Sequence, residues 1–404
     1  MSLRERLRFQ IMNKMDFTRE VEDEEIRGLI RQEIIGIGRE FHLSLEEKLN
    51  LEQEVYNSLR KLDVLQDLLD EDGISEIMIN GADNIYVEKN GVIEKSKLAF
   101  SSEEKLYDVI QQIVSMNNRL VNESSPIVDT KLPDGSRVNV ILSPISLEHS
   151  TVTIRKFPKE KITMEKLIAM SSLSEEMALF LKKLVMSGYN IFISGGTSSG
   201  KTTLLNALTE FIPKSERVVT IEDSAELQVH GIDNLVRLES RNATLEGKLE
   251  VKIRDLVKAA LRIRPDRIIV GECRGAEALD MLQALNTGHD GTLSTGHGNS
   301  CRDMISRLET MVLMADDVAL PITAIDKQIA SGIDIMIHLG RVHRNQRKVM
   351  EICEILDYEN GEVKFHPLFQ YECREGKDVW NRVGTLQNTE KLEVYFSKTF
   401  MDTR

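Results

Sequence analysis

The stretch IFISGGTSSGKTT, residues 191–203, decides how the rest of the chain is read. Gly195-Gly196-Thr197-Ser198-Ser199-Gly200-Lys201-Thr202 fits G-x-x-x-x-G-K-[ST], the pattern of a phosphate-binding loop. Its glycines let the backbone curl until successive N–H groups point inward, where they can hold phosphate oxygens. Lys201 adds a point positive charge for the outer phosphates, and the Thr202 hydroxyl is a hard oxygen ligand suited to Mg2+. The context agrees with the motif. An apolar strand leads in, and a leucine-rich helix leads out through Thr203, its positive dipole end toward the loop.

Around this loop helix and strand alternate, from a helix near 174–187 and a strand at 190–194 to about Asp357. That alternation predicts an α/β fold with a parallel, doubly wound sheet. Two of its strands end in acids. Arg217–Ile221 runs into Glu222 and Asp223, with Glu226 close behind, and Arg267–Gly271 runs into Glu272. An acid at the carboxyl edge of a parallel strand lies where α/β sheets bind ligands. Phosphoryl chemistry needs one acid to hold the metal through water and another to orient and deprotonate the attacking water. The order of the strands favours Glu222 as the base and Glu272 as the metal-side acid, although two neighbouring carboxylates can exchange these roles. His297 is expected just beyond a strand at 292–295, where an imidazole can read the γ-phosphate, and His289 is the second candidate in the same stretch. Arg137, Arg155, Arg237 and Arg241 could balance charge on a transferring phosphoryl group, but the sequence alone reads each as a surface residue. Arg341, Arg344, Arg347 and Lys348, around Asn345-Gln346, read as a solvated hairpin tip.

Outside this region, residues 1–72 read as helical. Ser44 and Glu47 form a capping box. Leu45, Leu49, Leu59, Leu62 and Leu65 fall near helical spacing. Residues 73–157 read as an α+β domain. Its strands are expected at 76–80, 85–89, 92–95, 127–131, 137–142 and 152–156, with a hairpin turn at Asn90-Gly91 and another turn at Pro133-Asp134-Gly135. A helix capped by Ser101 and Glu104 is expected to run through Asn117. Residues 158–163 read as a linker and 164–404 as the phosphate-binding domain with a C-terminal extension. The last 45 residues are expected to hold short strands and a polar tail.

The 404 residues carry 52 Lys and Arg against 65 Asp and Glu, a formal charge of −13. Phosphate-backbone binding needs clustered positive charge, so nucleic acid is not the expected partner. A hydrophobic share of 41% excludes general disorder. There is no run of about 18 apolar residues. The N-terminus lacks an apolar signal core, so a chain that is not secreted is expected. Cys273, Cys301, Cys353 and Cys373 are spaced too widely for a zinc pattern and read as reduced thiols.

Further stretches carry a resemblance. They are SEIMINGADNIYVEKNG (75–91), ESSPIVDTKLPDGSRVN (123–139), TIRKF (153–157), TIEDSAEL (220–227), IRDLVKAALRIRPDRIIVGE (253–272), EALDMLQALNTGHDGTLSTGHGNS (277–300) and RLETMVLM (307–314). With the phosphate loop they make a chain that resembles the secretion ATPases of type II and type IV machinery, most closely the CpaF/TadA-like ATPases of Tad (Flp-type) pilus assembly. The resemblance implies a RecA-like motor domain of three layers behind an α+β domain, with ATP and Mg2+ bound between them. It implies a ring of six subunits at the inner face of the cytoplasmic membrane, whose ATP hydrolysis works on membrane platform proteins. It maps Walker A onto 195–202, the Asp box onto Glu222, Asp223 and Glu226, Walker B onto Glu272 and the His box onto His297. It makes Arg137 and Arg155 phosphate-reaching residues, and Arg237 and Arg241 candidates for a subunit interface. A nucleotide-gated scaffold with little turnover and a RecA-like nucleic-acid motor are the rival readings.

Two features stand apart from the resemblance. Gly296 and Gly298 flank His297 where many relatives carry Leu and Ala, which predicts a loop freer in φ and ψ. The acidic excess is uneven: residues 1–157 carry 20 basic and 29 acidic side chains, and residues 44–72 carry 3 and 9. This predicts an acidic docking face over Glu46–Asp72 for basic cytoplasmic loops.

Overall fold

A computed structural model describes residues 3–402 apart from 17, 20, 90, 158–160, 242–249, 316–319 and 343–345. Asn90, the first half of the expected linker, Arg344 and Asn345 therefore lie outside the described residues. The chain divides into two compact units, Met1–Lys159 and Glu160–Arg404.

In the first unit, helices α1 (Leu3–Lys14), α2 (Asp23–Glu40) and α3 (Leu45–Arg60) close around Leu7, Ile11, Ile26, Ile30 and Val55. The capping box is present, with Ser44 N–H donating to Glu47 at 2.8 Å and Glu47 N–H to Ser44 Oγ at 3.2 Å. The buried stripe of α3 is Leu51, Val55 and Tyr56, while Leu45 and Leu49 are exposed. The expected leucine face is thus corrected, because the side turned to α1 and α2 begins two turns into the helix. Helix α4 (Val64–Asp70) joins a different core. Its Leu65, Leu68 and Leu69 pack with the sheet formed by β1 (Ile74–Asn80), β2 (Ile85–Lys89), β3 (Val92–Lys95), β4 (Ile127–Lys131), β5 (Arg137–Ile141) and β6 (Thr151–Arg155). The strand order is β3-β2-β1-β6-β5-β4, antiparallel throughout. Helix α5 (Glu103–Ser115) covers it, capped by Ser102, whose Oγ accepts from Lys105 N–H at 3.1 Å. The cap is therefore one residue later than expected, and the helix stops two residues short of Asn117.

Two of the nine acids of 44–72, Glu52 and Asp63, are buried, and the other seven are exposed. Glu52 pairs with Arg31 at 2.9 Å and Arg27 at 3.7 Å, Asp63 pairs with Arg4 and with Lys105 at 3.6 Å, and Glu71 pairs with Lys89. Asp67 accepts from Asn57 at 2.9 Å. Glu52 and Asp63 are buried, and buried carboxylates persist only when paired. Glu52 and Asp63 thus hold the first unit together, while the exposed acids still present an acidic surface over Glu46–Asp72 as expected.

The second unit comprises α6 (Met164–Ala169), α7 (Glu175–Met186), β7 (Ile191–Gly195), α8 (Lys201–Thr209), β8 (Val218–Glu222), β9 (Leu235–Glu239), α9 (Ile253–Ala260), β10 (Arg267–Cys273), α10 (Glu277–Leu285), β11 (Leu293–His297), α11 (Cys301–Leu313), α12 (Ile322–Gly332), β12 (Ile335–Arg341), β13 (Arg347–Glu359), β14 (Glu362–Arg374), β15 (Lys377–Arg382) and α13 (Glu390–Asp402). The sheet order is β15-β14-β13-β12-β7-β11-β10-β8-β9. The run from β12 to β9 is parallel, and β12 to β15 is antiparallel. Leu181, Leu184, Leu204 and Leu208 fill one face, and Leu282, Met304, Leu308 and Ile329 fill the other. This is the expected three-layer, mostly parallel RecA-like architecture. Every residue of β7 is buried, as a strand covered on both faces requires.

Alternation ends at β12, earlier than the sequence suggested; in the last 45 residues β15 is a short strand as expected, but β14 is long and Glu390–Asp402 is helical where a polar tail was expected. β13 and β14 run 13 residues each and extend the sheet as a meander. The chain after them is anchored from within. Glu354, buried in β13, accepts from Gln387 N–H at 2.8 Å and Asn388 N–H at 2.7 Å, and Tyr189 Oη donates to Asn388 O at 2.6 Å. Among the described residues no helix is long and apolar enough to cross a membrane. Replacing Glu354 by Ala strips two N–H groups of their acceptor. It should lower stability by about 1–3 kcal/mol in a denaturant melt and open the 383–389 segment to limited proteolysis.

Candidate nucleotide site

The site is assembled at the carboxyl edge of the parallel strands. Gly195 closes β7, and a Cβ there would collide with Ser199 Oγ and would stand 2.8 Å from Leu339 O, so only glycine fits. Ser198 (φ +52°) and Gly200 (φ +97°) take the left-handed region that turns the loop into α8. The first N–H groups of α8 have no intrahelical acceptors and face the loop end. Thr202 and Thr203 sit half-buried in that first turn, and the Ser199 hydroxyl is buried with no hydrogen-bond partner. Gly196, Thr197 and Ser198 are exposed. A glycine cradle, an orphaned hydroxyl and a helix N-terminus fit a polyphosphate with its Mg2+.

Lys201 is the centre of the arrangement. Its Nζ donates to Gly195 O at 3.1 Å and Gly196 O at 3.0 Å, and lies 3.3 Å from His297 Nδ1. His297 ends β11, directly opposite Gly195 in register, rather than lying beyond the strand as expected. Its Nε2 is 2.7 Å from Glu272 Oε1. Burial, reinforced by Lys201, pushes the imidazole pKa down, so the ring is neutral near pH 7. An ammonium can only donate, so Nδ1 accepts and the ring proton sits on Nε2, the atom next to Glu272. Burial also lowers the Lys201 pKa, with Glu272 opposing the effect.

The two candidate acids differ sharply. Glu272 lies one residue before the end of β10, with its side chain 22% exposed, and pairs with Arg274 at 2.6 Å. Glu222 ends β8 at 3% exposure, and one of its oxygens accepts from both Glu226 N–H and Leu227 N–H at 2.7 Å. Burial raises its pKa against the pull of those N–H groups. Asp223 accepts from Ser240 Oγ at 2.6 Å and lies 3.8 Å from Arg274.

The glycines around His297 do not loosen it. A Cβ on Gly296 would meet Met304 and Phe192 at 3.0 Å, and one on Gly298 would meet Ser194 Oγ at 2.7 Å. They are needed for close packing, and the expectation of a freer loop is corrected. His289 lies in the connection that enters β11, at the opposite end of that strand from His297, so the structure removes it from the candidates.

Arg237 on β9 donates to Leu227 O at 3.1 Å. Arg241 pairs through its backbone with Val251. Arg137 and Arg155 belong to the first unit, as directly opposed residues of β5 and β6. The expected hairpin is present between β12 and β13 with Arg341 and Arg347 exposed, and Lys348 alone departs from the solvated reading. Arg341 Nη2 and Arg347 Nε donate to Ser198 O at 3.2 and 2.9 Å, and Lys348 is fully buried against Asp378 at 2.6 Å. Sequence reasoning missed Arg274 as well, whose signal was only its place two residues after a strand-end acid.

Residues 58–379 match the family model described as type II/IV secretion system protein. The chain belongs to that family. It is 31% identical over 310 residues to the conjugal transfer protein TrbB of Rhizobium radiobacter, covering 75% of this chain and 90% of that one. It is equally 31% identical to the type IV secretion system protein PtlH of Bordetella pertussis, covering 69% and 89%. The pilus retraction motor PilT, solved with bound ADP, shares the fold with a TM-score of 0.54 at 20% identity, over 85% of this chain and 88% of that one. The protein is thus secretion-ATPase-like in sequence and fold.

The packing around His297 is open to a direct check. Gly298→Ala places a methyl against Ser194 and Met304. It should lower the melting temperature by the equivalent of about 1–3 kcal/mol, the ordinary range for overpacking, whereas a loose loop would tolerate it with no change.

Proposed function

We propose that this chain is an ATP-hydrolysing motor subunit of a pilus-assembly or secretion machine. The observation that supports this most is the chain of contacts from Lys201 through His297 to Glu272 at the mouth of the phosphate loop. Lys201 and the loop N–H groups would bind the phosphates, and the Thr202 hydroxyl would hold Mg2+, with Glu272 on the same side. Bound Mg2+ supplies charge neutralisation on the outer phosphates. His297, neutral and carrying its proton on Nε2, orients the Glu272 carboxylate and links it to the state of Lys201.

The two carboxylates divide the work unequally. Glu222 has an oxygen committed to two backbone N–H groups and little access to water. Glu272 is accessible and sits beside the phosphate lysine. The geometry therefore favours Glu272 as the base that orients water, with Glu222 holding the 226–227 turn, the reverse of the order first favoured by the strands. Arg137 and Arg155 are proposed to carry charge to the transferring group. Arg237 and Arg241 are proposed as interface residues.

The remaining features rest on the family resemblance. The working form is proposed to be a homohexamer at the inner face of the cytoplasmic membrane, acting on platform proteins of a Tad-like or type IV-like machine. Residues 1–72, 73–157 and 164–404 are proposed as its functional modules, joined through 158–163.

Phosphate release by the full chain, with Lys201→Ala as the inactive control, tests the activity. Its absence from an assembled ring would favour a nucleotide-gated scaffold instead. Glu272→Gln should keep ATP binding and lose about 100-fold or more of turnover, while Glu222→Gln stays within about ten-fold of the parent. The opposite ranking would return the base to Glu222. Light scattering with a non-hydrolysable ATP analogue should report six copies, and a fully active monomer would contradict the ring.

A further inference from the structure

Away from the phosphate loop, the fold gathers three side chains that the sequence kept apart. Cys301 is the first residue of α11. Glu351 and Cys353 are two apart on β13, and so lie on the same face of that strand. One ligand atom from each, two sulfurs and a carboxylate oxygen, all lie within 4.8 Å of one another. The two cysteines are buried and free. The sequence spacing does not foresee this grouping, because β13 returns beside β12 and brings Cys353 close to the start of α11.

The chemistry of this cluster is that of a soft-metal site. Glu351 is half-buried, and among the described residues no lysine or arginine pairs with it. Its contacts are Cys301 N–H, which donates to Oε1 at 2.8 Å, and the Cys353 thiol, 3.8 Å from Oε2. The Cys301 thiol in turn lies 3.6 Å from Met336 O. Two thiols and a carboxylate without a counter-charge form a pocket that a divalent cation would neutralise. A tetrahedral Zn2+ with metal–sulfur bonds of about 2.3 Å needs its donors roughly 3.8 Å apart, within reach of small side-chain rotations here. The Cys301 N–H already fixes the carboxylate, as outer hydrogen bonds do in metal sites.

The geometry points to a site for one thiophilic divalent ion, of the Zn2+ class, bound by Cys301, Glu351 and Cys353, with the Met336 carbonyl or a water completing the shell. Binding displaces up to two thiol protons to solvent and involves no change of oxidation state. The ion would tie the N-terminus of α11 to β13. That N-terminus follows directly on the 298–300 segment, where Ser300 O accepts from Ser194 Oγ at 3.3 Å. The ion therefore braces the segment that carries His297 from behind.

The test uses the untagged full chain with Zn2+ and Co2+ as probes. Elemental analysis after desalting should give one Zn2+ per chain. Co2+ should give a thiolate-to-metal charge-transfer band. Cys301→Ser and Cys353→Ser should each weaken Co2+ binding about ten-fold or more, and Cys373→Ser, an exposed thiol elsewhere, should leave it unchanged. Circular dichroism checks that the variants fold, and Glu351→Gln supplies a variant that spares both thiols. No band, a band that survives the cysteine substitutions, or a Cys301–Cys353 disulfide in the isolated protein would each overturn the assignment.

Discussion

A buried ammonium has to be solvated by something, and in this protein that requirement organises the whole carboxyl edge of the sheet. Lys201 is taken out of water at the start of α8, and its three donors meet two loop carbonyls and one imidazole nitrogen. For this to happen β7 must end in a residue with no side chain. β11 must deliver a histidine in register with it, and β10 must place an acid behind that histidine. The strand order β10-β11-β7 meets all three conditions, and the two hydrophobic layers hold those strands where they are.

The same edge shows how environment separates like residues. Glu222 and Glu272 end neighbouring strands and look interchangeable in sequence. One is sealed under a turn and held by backbone donors. The other is partly exposed and is held by a histidine and an arginine side chain. Nothing in the residue type sets this difference. It follows from how the chain after each strand folds back over it.

Much of this could be read from the sequence, and the failures have physical causes. The phosphate loop, the acids that end β8 and β10 and the parallel core carry strong local signals, because motif, periodicity and turn chemistry all act over a few residues. The helix cap at Ser102 was misplaced by one because two serines stand side by side. The antiparallel meander was missed because a 13-residue strand with Pro367 and several charges does not alternate cleanly. The acidic stretch was legible only in part, because counting charge does not show that Glu52 and Asp63 are buried against Arg4, Arg27, Arg31 and Lys105 from other helices. Gly296 and Gly298 read as flexible in sequence because a glycine's signal is the same for freedom as for crowding. The clustering of Cys301 with Cys353 depended entirely on which strands lie side by side.

The grip of Arg341 and Arg347 on the Ser198 carbonyl has a mechanical meaning. These arginines flank the turn between β12 and β13, and so belong to the inner end of a continuous antiparallel ribbon that runs out to β15. A carbonyl at the apex of the phosphate loop is thus the terminus of a stiff lever four strands wide. Displacement of the ribbon's outer edge reaches the loop through hydrogen bonds rather than through a flexible connection.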